Sequence, residues 1–286
     1  MTTRLLASLT RVLGVPQARQ ELKWMQQAAS ASATLSSLDE MVRRRSLGEP
    51  LQYILGTQPF GPLNLLTRAP TLIPRPETEH WVMQLAGTVS PTPQTPIGLL
   101  DLGTGSGCIP LLLCHLWPAG SVQAHGVDIS PDALHLASEN AALCGIPSAS
   151  DGESGPTNTF TTTRVNFLSD DFPSGPEVEN ALPIDILTSN PPYISWEEYL
   201  ELPPSVTNYE DPKALFGGPS GLDFYHAIVR LMCRTELFNP NALVALEVGH
   251  QQAETVQALL RSTGRVTRSD IWIDPWGKKR TVVARM

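Results

Sequence analysis

A chain of 286 residues with 41% hydrophobic content can bury one large core and a small second one. No apolar run reaches the ~18–20 residues of a membrane span, and a formal charge of −8 argues against a broad, nonspecific grip on nucleic acid. Four scattered cysteines, none in C-x-x-C, exclude a disulfide scaffold and fit a reducing compartment.

Residues 1–55 read as a small helical domain. Leu5, Leu6, Leu9, Val12 and Leu13 share a helical face, and Arg4, Arg11 and Arg19 precede the first acid, Glu21. That start is compatible with a mitochondrial presequence or with the first helix of a bundle. Ser37, with Glu40 three residues on, predicts a helix start, and Gly48 its stop. The run Arg43-Arg44-Arg45, like Lys278-Lys279-Arg280 near the end, is either solvated surface or a local contact for an RNA-rich partner.

Residues 56–76 are rich in Gly and Pro and predict a hairpin linker. Residues 77–286 form the main domain. A helix is expected over 77–88, then apolar runs near 97–101, 122–127, 163–168, 183–188 and 242–248 with helical stretches between several of them. This alternation predicts an α/β fold with a mostly parallel sheet covered on both faces. Two strand-like runs around Asp274-Pro275-Trp276-Gly277 predict an antiparallel final hairpin. Residues 147–162 have little apolar content and are expected to be a mobile insertion. The six histidines show no ligand-like spacing with the cysteines, so no metal is expected.

The run "GLLDLGTGSG" at 98–107 is a strand entering a glycine turn. Gly103, Gly105 and Gly107, with Thr104 and Ser106 between them, let the backbone turn sharply and let a ligand approach. Asp128 ends the next apolar run about 20 residues later, where an acid can accept both ribose hydroxyls. A dinucleotide turn would space its glycines as G-x-G-x-x-G, with a pyrophosphate on the helix start. Here the third glycine comes one residue early and Asp101 opens the loop. A carboxylate there suits an amine-bearing ligand better than a phosphate. S-adenosylmethionine, with an ammonium, a sulfonium and no phosphate, fits better than a nicotinamide cofactor.

The run "PIDILTSNPPYI" ends a strand on Asn190-Pro191-Pro192-Tyr193. In a doubly wound sheet that places the turn beside the cofactor. The prolines fix φ and supply no N–H. What remains is rich in acceptors: the Asn190 side-chain oxygen and the Pro191 carbonyl. Two acceptors would hold the two hydrogens of a planar NH₂ group, with Tyr193 packing on its flat face.

Together with "DLGTGSG", this turn resembles the amino-methyltransferases. "EPLQYILG" at 49–56, "LIPRPETE" at 72–79, "GPSGLDFY" at 218–225, "LEVGHQQ" at 246–252 and "DPWGKKRTVVAR" at 274–285 extend the likeness to one branch. They resemble the HemK/PrmC protein-(glutamine) methyltransferases from about residue 45 to the end. The resemblance implies a Rossmann-like class I S-adenosylmethionine-dependent fold and, as substrate, the glutamine of the Gly-Gly-Gln loop of a peptide chain release factor. It implies that the helical N-terminal domain helps to hold that factor. By motif match, Asp101, Gly103 to Gly107, Asp128 and Asn190 hold the cofactor, and Asp171 occupies the place of a further cofactor contact. Asn190, Pro191, Pro192 and Tyr193 hold the amide, and Arg75, Glu77 and Glu79 shape the wall. A monomer in the mitochondrion or cytoplasm, with no direct DNA binding, is expected. Two rivals remain: a DNA adenine methyltransferase, since a flipped adenine also presents an NH₂, and a non-catalytic scaffold that only binds S-adenosylmethionine.

Overall fold

The computed structural model describes residues 2–31, 36–148, 156–169, 172–173 and 183–286. The N-terminal helices are α1 (Thr2–Leu13), α2 (Val15–Ala31), α3 (Leu38–Ser46) and α4 (Leu51–Leu55). Leu5, Leu9, Leu22, Met25, Met41 and Val42 form their shared core. The apolar face of α1, apart from the exposed Val12, is therefore packing surface, and a mitochondrial address does not follow from it. Ser37 caps α3 by accepting the Glu40 N–H at 3.3 Å.

The arginine run on α3 is neutralised in place. Arg43 pairs with Glu40, Arg44 with Glu49, and Arg45 with Glu21 at 2.6 Å. The last pair is nearly buried and ties α3 to α2. At the other run, Lys279 pairs with Glu254, and Arg280 approaches Asp274 at 3.6 Å. Lys278, between them and the turn, is exposed.

A hairpin of β1 (Thr57–Phe60) and β2 (Leu63–Leu66) follows, then α5 (Pro76–Thr88). The main sheet is built from β3 (Ile97–Leu102), β4 (Val122–Asp128), β5 (Thr159–Arg164), β6 (Ile184–Ser189), β7 (Phe238–Glu247), β8 (Arg268–Ile273) and β9 (Lys279–Arg285). Its order is β5-β4-β3-β6-β7-β9-β8. The first five strands are parallel, and β9 returns antiparallel between β7 and β8. Between the strands lie α6 (Cys108–Leu116), α7 (Pro131–Leu143), α8 (Trp196–Leu200), α9 (Pro204–Thr207), α10 (Asp223–Met232) and α11 (Ala253–Ser262).

Successive strand residues feed opposite cores. Leu100, Leu102, Leu187, Val244 and Leu246 pack with α10 and α11. Leu99, Ile186, Leu243 and Ala245 pack with α5, α6 and α7. Burial on both faces explains the unbroken apolar runs of these strands. Phe60, Leu63 and Leu65 of the hairpin join the second core. The Leu66 N–H donates to Asn140 Oδ1 on α7 at 2.7 Å, so the hairpin is docked on the sheet domain.

The insertion expected over 147–162 is shorter than that. Residues 149–155 lie outside the described residues, but 159–164 form β5, where the sequence reading placed a strand only near 163–168. Threonines are good strand formers with little hydrophobicity, and this edge strand buries only Phe160. Asn158 fixes its start. The Asn158 Oδ1 accepts the Ser121 and Val122 N–H groups, and its Nδ2 donates to the Cys114 and Trp117 carbonyls.

Strand β3 has β4 on one side and β6 on the other. The chain leaves β3 and β6 in opposite directions across the sheet, which opens a crevice at their carboxyl ends.

Candidate active site

A cavity of about 510 Å³ occupies that crevice. One half is walled by Gly103, Gly105, Asp128, Ile129 and the aromatic pair Phe167 and Phe224. The two rings lie 5.5 Å apart between centroids. Asn190 and Pro192 stand at the junction with the other half, which is walled by Trp196, Tyr199 and Phe216. Those three rings contact one another, with centroids 5.8–6.4 Å apart. Of the ionisable groups on the wall, Asp128, Asp211 and Asp223 outnumber Lys213. Such a wall suits a cation, not a pyrophosphate.

The glycine turn is held from below. Gly105 has φ +55°, a conformation that side chains disfavour, yet an added Cβ would meet nothing nearer than 4.0 Å. Backbone shape and open space both mark it as a surface for a ligand. Asp128 accepts the Gly105 N–H on Oδ2 and the Ser130 N–H on Oδ1, both at 2.9 Å. One carboxylate thus joins the turn to the start of α7. Burial chiefly raises its pKa, against the pull of those backbone donors.

Asp101 is fully buried at the end of β3 and is not on the cavity wall. Its Oδ1 accepts the Thr188 hydroxyl at 2.7 Å. Its Oδ2 and the Thr104 hydroxyl are buried outside hydrogen-bond geometry, although Thr104 still draws the carboxyl's pKa down. Burial dominates and pushes that pKa up to about 7. Thr104 and Ser106 are buried under the turn. Gly107 opens α6 and packs toward Leu111, Ala137 and Phe160, so it serves packing. Asp171 lies outside the described residues.

The Asn190-Pro191-Pro192-Tyr193 turn is clamped by the stretch just before "GPSGLDFY" and by "LEVGHQQ". The Ile194 N–H donates to the Leu215 carbonyl, and the Gly217 N–H to the Ile194 carbonyl. The Gln252 Nε2 donates to the Tyr193 carbonyl at 2.9 Å. At Gly217, a Cβ would come within 2.5 Å of the Pro192 carbonyl oxygen, so only glycine allows this approach. Pro191 is buried, and Tyr193 packs partly buried against the core beneath the turn. Neither is on the wall.

Arg75 also stands off the wall. It grips the buried Glu210 at 2.6–2.7 Å and so joins the start of α5 to the segment carrying Asp211 and Lys213. Glu77 and Glu79, in the first turn of α5, are partly exposed and off the wall as well. Sequence reasoning missed Phe167, Trp196, Tyr199 and Phe216, which nothing in the local pattern marks. Phe224 and Gln252 lie within "GPSGLDFY" and "LEVGHQQ", but those motifs do not show that one walls the cavity and the other holds the turn.

Sheet order, glycine turn and acidic crevice define the Rossmann-like methyltransferase class. The fold is shared with the hMettl16 catalytic domain in complex with MAT2A 3'UTR hairpin 6, at a TM-score of 0.54 and 17% identity over 86% of this chain and 81% of that one. A methyltransferase from Pyrococcus furiosus gives a TM-score of 0.50 at 12% identity, covering 78% and 88%. No family model matches the chain. It is 34% identical over 277 residues to the release factor glutamine methyltransferase of Moorella thermoacetica, covering 97% of this chain and 86% of that protein. Against the same enzyme of Geobacter sulfurreducens it is 34% identical over 268 residues, covering 88% and 84%. The chain belongs to the release factor glutamine methyltransferase family.

Proposed function

We propose that the protein methylates the side-chain amide nitrogen of the glutamine in the Gly-Gly-Gln motif of a peptide chain release factor. The observation that carries this reading is the donor-poor Asn190-Pro191 turn at the carboxyl end of β6, beside the glycine crevice. S-adenosylmethionine supplies, when bound, a methyl group carried on a sulfonium. The open glycine turn and the acidic wall suit such a cation. Gly103, Gly105 and Asp128 hold it, with Phe167 and Phe224 as apolar surface for its base.

The Asn190 Oδ1, at the cavity, accepts one hydrogen of the glutamine amide, and the Pro191 carbonyl, which does not line the cavity as it stands, is the acceptor proposed for the other. The prolines bring no N–H to compete for its nitrogen. An amide nitrogen is a poor nucleophile, so the residues act by orientation and by matching the transition state. Tyr193 lies beneath the turn and buttresses it. Burial raises its phenol above the ordinary pKa, so it stays protonated and is no base. We assign no side chain as proton acceptor.

The aromatic cluster of Trp196, Tyr199 and Phe216 at the mouth supports entry of a peptide loop. The acids on the wall and the paired arginine run support the absence of direct DNA binding. We read the protein as a monomer.

Mass spectrometry of a release factor incubated with enzyme and S-adenosylmethionine tests the proposal. One added methyl on the glutamine of the Gly-Gly-Gln peptide is expected. Methylated duplex DNA beside an unmodified release factor would refute it.

A pH dependence follows from Asp101. With its pKa near 7, the buried carboxyl ionises near neutral pH beneath the glycine turn, where its charge favours the ammonium of the methyl donor through space and not by contact. Donor affinity is expected to be full above about pH 8 and to weaken by up to roughly tenfold per unit below pH 7. In the ligand-free protein the sign is opposite. A carboxyl whose pKa is raised on folding contributes stability below its unfolded value of about 4, and this is lost as pH rises to 7. Titration calorimetry in two buffers of unlike ionisation enthalpy should register a proton released on binding at pH 7. Binding with no proton release would remove Asp101 from this role.

A further inference from the structure

We propose that Thr78 and Glu247 set the direction of the Asn190 side-chain amide, so that its oxygen and not its NH₂ faces the substrate. The inference rests on the reading of Asn190 given above. Three elements distant in sequence converge here. Thr78 is in the first turn of α5, Glu247 ends β7, and Asn190 follows β6. Thr78, Trp81 and Glu247 are each only 1% exposed.

The argument is one of donor counting. The Thr78 hydroxyl donates to Glu247 Oε2 at 2.6 Å, and the Trp81 Nε1–H donates to the same oxygen at 2.9 Å. Burial pushes the Glu247 pKa up, against the pull of these two donors, and a proton taken up by the carboxyl goes to its other oxygen, which leaves Oε2 to accept from both. The single hydroxyl hydrogen of Thr78 is therefore committed to Glu247. Toward Asn190, the Thr78 oxygen can only accept. The group that meets it is the Asn190 Nδ2, at 3.2 Å. An amide is planar, so fixing its NH₂ on Thr78 turns Oδ1 the other way. Asn190 borders the cavity, and its oxygen is left to receive an incoming N–H.

Without this clasp the amide can reverse. Its NH₂ would then meet the NH₂ of the glutamine, donor against donor. Such a mismatch forfeits a hydrogen bond where the nitrogen must be aimed. Thr78 and Glu247 are thus positioning residues that touch neither substrate nor cofactor.

Thr78→Val keeps the shape and removes the hydroxyl. It is expected to lower kcat for the release factor by roughly 10- to 100-fold with donor affinity unchanged. Thr78→Ser, which restores the hydroxyl, should regain most of that loss. A purely structural role predicts a lower melting temperature with kcat of the folded enzyme intact. That outcome would overturn the proposal, as would a Thr78→Ser variant no better than Thr78→Val. A second measurement needs no variant to fold. In the ¹⁵N-labelled wild-type enzyme, the Asn190 NH₂ should exchange slowly with water, and fast exchange refutes the clasp. If the wild-type enzyme leaves the release factor unmethylated, the functional reading fails, while the exchange measurement still tests the clasp.

Discussion

Asn190→Ala should abolish methyl transfer, lowering kcat by roughly 10³-fold or more, and leave donor affinity close to wild type. The substitution removes the side-chain acceptor that aims the amide nitrogen. It leaves the Asp128 contacts to Gly105 and Ser130 in place, and these shape the donor half of the crevice. It also leaves the turn clamped, because Gln252 and Gly217 hold main-chain atoms beyond Asn190. Methylation rates measured beside calorimetric binding of S-adenosylmethionine separate the two effects. Near-normal transfer by the variant would mean that Asn190 is scenery and that the chain is a scaffold or uses another pocket.

Asp128→Ala should do the reverse and strike the donor first. Its Kd is expected to rise about 100-fold or more, since each charge-assisted hydrogen bond is worth about 1.5–3 kcal/mol. Two backbone donors, from Gly105 and Ser130, lose their acceptor at once, and the turn loses its tie to α7. Asp128→Asn should fall between, because one of the two N–H groups would then face an NH₂. At donor concentrations well above the new Kd, much of the rate should return. A rate that stays low at saturation would show that Asp128 acts on chemistry and not on binding.

The residues that turn the chain were legible because their signals are local. The glycines at 103–107, the cap at Ser37 and the prolines after Asn190 each announce a backbone event within a few positions. The parallel core strands were legible too, as continuous apolar runs. Strand β5 was harder, because "TFTTTR" has the shape preference of a strand without the hydrophobicity. The start of β7 was hidden by Asn239-Pro240-Asn241, which reads as a turn but lies within Phe238–Glu247. Contacts made only by folding left no trace. Thr78 and Glu247 lie 169 positions apart, and no periodicity links them. Phe167 and Phe224 meet across the crevice for the same reason.

The crevice straddles the seam between β3 and β6, and the chain reaches its two banks by crossovers that run in opposite directions. Under the proposed function, one bank, from β3 and β4, cradles what is given; the other, from β6 and β7, presents what receives. The banks are joined by the shared floor of strands and by the Phe167–Phe224 contact. A lineage could therefore exchange the recipient of the methyl group by rewriting the stretch from Trp196 to Phe216, while Phe224 and the rest of the cradle for its source stayed untouched.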